Sequence, residues 1–377
     1  MPSNTDWARS IATTIVDHIR GAESEILRNR RLGAMLVNKG RVQYNKSGRG
    51  FDWRVKYRTH TVSGNTGETP RTFTRINRHE VAELEYRGYQ LTDAIFKKEK
   101  LENRGEPAIV ELGETFVADM LESLDEAFAE EYYIDGEGSG NSLRMHGIES
   151  MMGTNGTVTI TSGAQRSANA ADIFGYPNST YANLSCTLGS FGGAQKSGIW
   201  PNGTANAQYD FWTPIIVNYT STGLPGSAAT WASQGIEAMR EGIIQCQRNA
   251  GLAGQMDMIL LDRALYKEAL NQLDDKERVI VTKTNGLKSF GFTNVFELDG
   301  VECSWEYGIP QTSNSNPVGY GFNVDNMELR SMQDQLFNSE MEYDIDSQAD
   351  KFVTDFLGNL KYRSPRNFCK FMPHADM

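Results

Sequence analysis

Carboxylates come closest to a metal-binding pattern at Tyr343-Asp344-Ile345-Asp346-Ser347-Gln348-Ala349-Asp350. Acids at such spacing are what an acidic loop uses to wrap a calcium ion. The segment lacks both the glycine of the turn and the closing glutamate, so it predicts no metal. Gly136-Glu137-Gly138-Ser139-Gly140 has the glycine density of a phosphate-cradling loop. It follows a helical pattern instead of a strand and carries no Lys-Ser/Thr pair, so it reads as a flexible connector. His79-Glu80 and His146 lie near carboxylates without any nucleophile motif and read as surface or core histidines. Cys186, Cys246, Cys303 and Cys369 are scattered, with no CxxC pair and only five histidines in the chain. That favours buried free thiols over a structural zinc. GxSxG, HExxH and Walker patterns are missing. The sequence thus assigns no catalytic, metal or cofactor-binding residue and predicts no enzyme and no cofactor.

Charge is more informative. Residues 39–78 hold ten Lys/Arg against Asp52 and Glu68, a segment of +8 in a chain of net charge -11. From Gly105 to Leu143 there are eleven acids and no Lys or Arg. The basic segment has three readings: a solvated face, a nucleic-acid clamp, or a contact with an acidic surface of another subunit. Alternation puts Phe51, Trp53 and Tyr57 on the face opposite the cations, whereas a stacking platform needs rings and charges to converge. The subunit contact is preferred, because the chain carries its own complement and patches of opposite sign can be satisfied between copies. The candidate contact residues are Arg49, Phe51, Trp53, Arg54, Lys56, Arg58, Arg71 and Arg75, facing Glu114, Asp119, Glu122, Asp125 and Glu126. The apolar face with Phe51, Trp53 and Tyr57 is expected to supply more of the affinity than the charges.

These residues need elements to position them. Ile11, Ile15, Ile19, Ile26 and Leu27 recur at near-helical spacing in a short N-terminal arm. Phe51, Trp53, Val55 and Tyr57 alternate with Asp52, Arg54, Lys56 and Arg58, which predicts a strand with one apolar and one charged face. The turn cluster Ser63–Gly67 would send Thr69–Ile76 back as its partner in a long hairpin. Leu112, Phe116, Val117, Met120, Leu121, Leu124 and Phe128 form one stripe of a helix over 111–135. Residues 153–206 contain 28 Gly, Ser, Thr or Asn among 54 and read as a turn-rich β elaboration outside the core. Further on the patterns predict a helix at 232–249, a buried strand Met258–Leu261, and an Asp262-capped helix at 263–273. A hairpin follows through Asp299-Gly300, and the tail is rich in strands.

The order of these parts resembles the major capsid proteins of tailed bacteriophages with the Hong Kong ninety-seven fold. The pieces that carry the resemblance are His146-Gly147-Ile148-Glu149-Ser150-Met151-Met152, Phe191-Gly192-Gly193-Ala194-Gln195-Lys196-Ser197 followed by Phe211-Trp212-Thr213-Pro214, Gln255–Asp262 with Tyr266, and Gly358-Asn359-Leu360 with Ser364-Pro365-Arg366-Asn367. The resemblance implies an α+β fold. Its parts would be an N-terminal arm (1–38), an extended β-hairpin E-loop (39–80), a P-domain (81–152) with a long spine helix (111–135), and the turn-rich elaboration (153–230). An A-domain (231–330) and return strands to the P-domain (331–377) would complete it. It further implies self-assembly through hexamers and pentamers into an icosahedral shell around double-stranded DNA, contacted non-specifically. The hairpin begins too early for a long scaffolding segment before it, so a separate scaffolding protein is expected, with a portal and a decoration protein as further partners. An E-loop lysine of the family prototype forms an isopeptide cross-link; Lys39 or Lys46 would occupy its place, and no cross-link is predicted.

The acidic balance disfavours a protein that coats nucleic acid with its whole surface. No stretch approaches the roughly 18 apolar residues of a membrane span. Met1–Trp7 is no signal peptide, so the expected setting is a virion capsid assembled in the host bacterial cytoplasm. Three other readings stay open: an encapsulin-like nanocompartment shell, told apart by cargo enzyme in place of DNA; an enzyme with an unrecognised site, told apart by turnover; and a β-rich adhesin.

Overall fold

Apolar residues on both faces of successive strands leave a sheet with no wet side, and such a sheet must be covered twice. The computed structural model describes residues 30–45, 48–57, 67, 73, 75, 77–98, 119–120, 122–153, 171–177, 179–188, 210–248, 251–274, 295–312, 315–332 and 338–374. In chain order the elements are α1 (Arg31–Asn38), β1 (Val42–Asn45), β2 (Gly50–Lys56), β3 (His79–Glu85), β4 (Arg87–Phe96), α2 (helical at 119–120 and 122–131) and α3 (Glu149–Met152). Then come β5 (Phe174–Gly175), β6 (Thr180–Tyr181), β7 (Leu184–Ser185), β8 (Ile215–Asn218), α4 (Trp231–Cys246), β9 (Met258–Leu261) and α5 (Arg263–Asp274). The chain closes with β10 (Val295–Leu298), β11 (Val301–Trp305), β12 (Gly319–Phe322), β13 (Met327–Met332), β14 (Asn338–Asp344), β15 (Ala349–Tyr362) and β16 (Cys369–Met372).

The doubly covered sheet has seven strands in the order β10-β11-β9-β12-β16-β8-β5. Its side chains divide strictly by alternation. Ile259, Leu261, Cys303, Cys369 and Phe371 pack with Trp231, Met239 and Ile243 of α4 and Leu265 and Ala269 of α5. Met258, Leu260, Tyr320 and Phe322 face the other way, into a core shared with α2 and the hairpin. Asp262 Oδ1 caps α5 by accepting from Ala264 N at 2.8 Å, and Asp299-Gly300 makes the β10–β11 turn with positive φ at both residues, both as the sequence predicts. All four cysteines are buried free thiols.

The second sheet is built on β15, fourteen residues long. Its first ten residues pair with β4 on one side, and Ala349–Asp355 also pair with β14 on the other. Its last five pair with β13, which carries β1 beyond it. The three-stranded part, seven residues of β15 at about 3.4 Å each, is a tongue roughly 24 Å long.

Two expectations are corrected. The partner of β2 is β3, with Phe51 opposite Leu84 and Trp53 opposite Ala82, not the Thr69–Ile76 stretch. The apolar face of β2 needs apolar neighbours in register, and His79–Glu85 alternates while Thr69–Ile76 contains Pro70, which cannot donate to a ladder. The 153–206 region is also not wholly outside the core. Tyr181 is fully buried; its hydroxyl donates to Leu360 O at 3.2 Å and accepts from Tyr362 N at 2.9 Å. Phe174–Gly175 closes one edge of the seven-stranded sheet. The arm residues before Arg30 and the first turns of the predicted spine helix lie outside the described residues. The last part of the arm, Arg31–Asn38, is a docked helix with Leu32 and Leu36 buried.

Among the buried charged groups, Lys370 and Glu149 form a pair. Lys370 on β16 is fully buried, and its Nζ is 2.7 Å from Glu149 Oε1 on α3, which also accepts from the Tyr320 hydroxyl. Removing one partner strands the other in a low-dielectric core. Lys370→Met alone is expected to cost about 3–5 kcal/mol in urea unfolding of the unassembled chain, and Lys370→Met with Glu149→Gln to recover most of that loss. A loss in the double variant equal to the sum of the losses in Lys370→Met and Glu149→Gln would show that the two charges act independently.

Candidate subunit interface

The hairpin β2–β3 has two unlike faces. Phe51 and Trp53 stack with ring centroids 6.1 Å apart, and Trp53 meets Tyr181 at 6.3 Å and Trp212 at 6.5 Å. Arg330 and Lys361 of the second sheet lie over the Phe51 and Trp53 rings at 5.7 and 5.2 Å. Phe51 is 5% exposed and Trp53 8%. This corrects the expectation that these rings bind another subunit. Their apolar surface is already consumed within the chain, so they anchor the hairpin base. Tyr57 is half-buried, with its amide bonded to Arg78 O.

The outward face carries Asp52, Arg54 and Lys56 beside His79, Val81, Glu83 and Glu85, all exposed. It is mixed in sign, not uniformly basic. Arg49 pairs with Glu85 at 2.9 Å in full solvent, a contact worth about 0–1 kcal/mol. Lys39 and Arg41 are taken up internally, by Asp257 at 2.6 Å and Asp325 at 2.8 Å. Among the described residues of this segment, the exposed Arg54, Lys56 and Arg75 and the half-buried Arg78 are in no ion pair, and Phe73 is 91% exposed. Arg58 and Arg71 lie outside the described residues.

The acidic helix is similarly divided. Asp119, Glu122 and Glu126 are exposed and follow one another at helical spacing, so they share a stripe. Asp125 does not join them: Arg30 grips it through Nη2 at 2.9 Å and Nε at 3.1 Å. Glu131 is buried and held by Arg144 at 2.5 Å and the Tyr89 hydroxyl. Glu114 lies outside the described residues. The ion pairs of the described residues join none of Arg49, Arg54, Lys56 or Arg75 to the helix acids.

The loop that looked like a calcium site closes on itself. Asp344 accepts from Asp346 N at 3.0 Å, Ser347 Oγ at 2.8 Å and Lys351 Nζ at 2.5 Å, and these hold its carboxyl well below the usual range, Lys351 foremost. Among the described residues no cluster of three His, Cys, Asp or Glu side chains is placed to hold a metal. No described helix is long and apolar enough to cross a membrane.

One junction was not singled out in the sequence, although its two halves were. Asn359 Oδ1 accepts from His146 N at 2.9 Å, while its Nδ2 reaches Glu85 O and His146 Nδ1, both at 2.8 Å. It thus ties the end of the hairpin to the segment before α3 and to β15. Gly147 is required there, since a Cβ would stand 2.5 Å from Ile134 N. Burial above all, with Arg87 adding to it, pushes the His146 imidazole down to about 4. Glu137 stands 3.7 Å away, and burial raises its own carboxyl.

No family model matches the sequence, and no curated protein matches it. Solved structures do match. The capsid of cyanophage A-1(L) superposes with a TM-score of 0.53 at 15% identity, covering 88% of this chain and 89% of that one. The capsid of the empty GTA particle superposes with a TM-score of 0.50 at 9% identity, covering 88% of each chain.

Two outcomes test this account. Trp53→Ala should destabilise the unassembled chain by about 3–5 kcal/mol in denaturant, since it empties a core site, while a loss confined to assembly would return the ring to the interface. The folded pKa of His146 lies below the unfolded value of 6.5, so the unfolded chain takes up a proton that the folded chain refuses. Stability present above pH 6.5 is then lost as the pH falls toward 4, by up to about 3 kcal/mol, and His146→Gln should remove that part of the pH profile. Shared nearly end to end with these shells, the architecture of this chain is the α+β Hong Kong ninety-seven-like capsid fold.

Proposed function

We propose that the chain is the major capsid protein of a tailed phage, a structural subunit that assembles through hexamers and pentamers into the icosahedral shell around double-stranded DNA. The observation that carries this reading is the match over 88% of the chain to the capsid of a cyanophage. The expected partners are other copies of the chain, a separate scaffolding protein, a portal and a decoration protein, with assembly in the host cytoplasm.

The division of the hairpin supports a specific contact. Its base, 50–56 with 79–85, is fixed by the buried rings, so the segment 57–78 between them is the part that can extend over a neighbour. That segment carries Arg58, Arg71, Arg75 and Arg78 against the single acid Glu68. The stripe Asp119, Glu122 and Glu126 is the complementary surface on the next copy. Each exposed pair contributes about 0.2–1 kcal/mol, weak enough to break and re-form. A shell repeats the contact at every subunit, so weak bonds close it while wrongly placed subunits can leave.

Arg54→Glu with Arg58→Glu is expected to abolish shells while leaving the subunit folded. The check is negative-stain imaging of the chain co-expressed with its scaffolding protein, alongside circular dichroism of the unassembled variant. Normal shells from the variant would refute the charge contact. A wild-type chain that stays monomeric under every condition would refute the capsid reading itself.

A further inference from the structure

Two strands of the seven-stranded sheet, β8 and β16, run parallel, and the segments leading into them lie side by side, with Ile215 N bonded to Phe368 O at 3.2 Å. Arg248, just past the end of α4, fills the space between these segments and is 7% exposed. Its Nη2 donates to Thr213 O at 2.6 Å and its Nη1 to Arg366 O at 3.2 Å. The guanidinium of Arg366 stands over the Phe211 ring at 5.3 Å, and Lys56 at the end of β2 approaches the same ring at 5.9 Å.

The charges here do not balance. Asp210 is the carboxylate whose field acts on both guanidiniums, and it is fully buried. Its Oδ1 already accepts from Trp212 N at 2.8 Å and Thr213 N at 2.6 Å. Arg248 Nε, Arg366 Nε and Arg366 Nη1 are buried N–H donors that meet no acceptor among the described residues, and the Thr213 hydroxyl beside them has none either. Burial foremost, then the neighbouring Arg248, brings Arg366 down to about 10, and Arg248 is lowered by burial as well. Both groups stay cationic at neutral pH, so among the described residues the buried Arg248 and the half-buried Arg366 stand against the single carboxylate of Asp210. Unanswered buried guanidinium donors are unfavourable, and planar N–H groups of this kind are the ordinary partners of oxyanions.

We propose that Arg248 and Arg366, with the Thr213 hydroxyl and with Lys56 at the rim, bind a small oxyanion of the phosphate or sulfate class. The depth of Arg248 selects a small free anion over the backbone of a nucleic acid, whose phosphates are flanked by sugars. An anion here would tie together the base of the hairpin, through Lys56, and the two segments that enter the seven-stranded sheet.

The experiment follows the melting temperature of the full-length unassembled chain as inorganic phosphate replaces chloride at constant ionic strength. Binding to the folded state alone raises the melting temperature saturably. The expected result is such a rise in the wild type, its loss in Arg366→Met, and its persistence in Arg75→Met, which removes a remote exposed cation. Asp210→Asn keeps the acceptor for the two amides but removes the competing charge, so half-saturation should come at lower phosphate. No rise in the wild type, or an equal rise in Arg366→Met, would overturn the site. A rise with a short DNA duplex but none with inorganic phosphate would overturn the small-anion assignment. Should Arg366→Met fail to fold, calorimetric titration of phosphate into the wild type decides: one saturable site competed by sulfate supports the proposal, and no binding heat defeats it.

Discussion

The seven-stranded sheet is buried on both faces, and the placement of nearly every other element follows from that. One face is covered by α4 and α5, which between them present Trp231, Met239, Ile243, Leu265 and Ala269. The other face needs as much apolar surface, and no single element nearby supplies it. It is assembled from α1, the hairpin base, α2 and the near end of β15, which come from four distant parts of the sequence. This shared core is why the aromatic face of the hairpin turns inward. Phe51 and Trp53 are the rings that reach Tyr181, Trp212 and the cationic cover of Arg330 and Lys361.

Inside such a core each polar group has to be answered by another. Asn359 illustrates how. Its single amide closes contacts with His146, Glu85 and Leu360, so one side chain fixes three chain segments relative to each other. Lys370 and Glu149 do the same between β16 and α3 at a higher electrostatic stake, because each partner is charged and neither reaches water. Such groups add little net stability compared with a well-packed apolar pair, but they penalise any register in which the partners fail to meet.

Local pattern made much of this legible. The strand at Met258–Leu261, the cap at Asp262, the turn at Asp299-Gly300 and the alternation from Phe51 to Lys56 all depend on neighbours within a few residues, and the structure agrees with each. What was not legible depends on distant chain. Nothing within 50–56 says whether its partner is 69–76 or 79–85; that choice is made by Ala82 and Leu84 facing a core built from elsewhere. Tyr181 gave no periodic signal because it sits in a two-residue strand, and its burial comes from Leu360 and Tyr362, about 180 residues away. The acidic run 105–143 looked uniform, yet Asp125 and Glu131 are held by Arg30 and Arg144 while Asp119, Glu122 and Glu126 face solvent. A hint was available in Lys370, a charge between Cys369 and Phe371 in an otherwise apolar strand, where a buried partner is the expected companion.

The inward turn of the hairpin rings changes what can drive association. Had Phe51 and Trp53 been free, burying them between subunits would contribute about 1.5–3 kcal/mol per side chain, and a contact that strong would be slow to undo. With the rings committed internally, the outward hairpin face offers Arg54, Lys56, Asp52 and Glu83, and the loop beyond it offers Phe73 and Arg75. Contacts of that kind set orientation and pairing of copies through sign more than through strength. The same commitment seats the hairpin base, Gly50–Lys56 with His79–Glu85, on the core of its own chain. Apolar burial thus holds the hairpin base in place, and charge is what its exposed face presents.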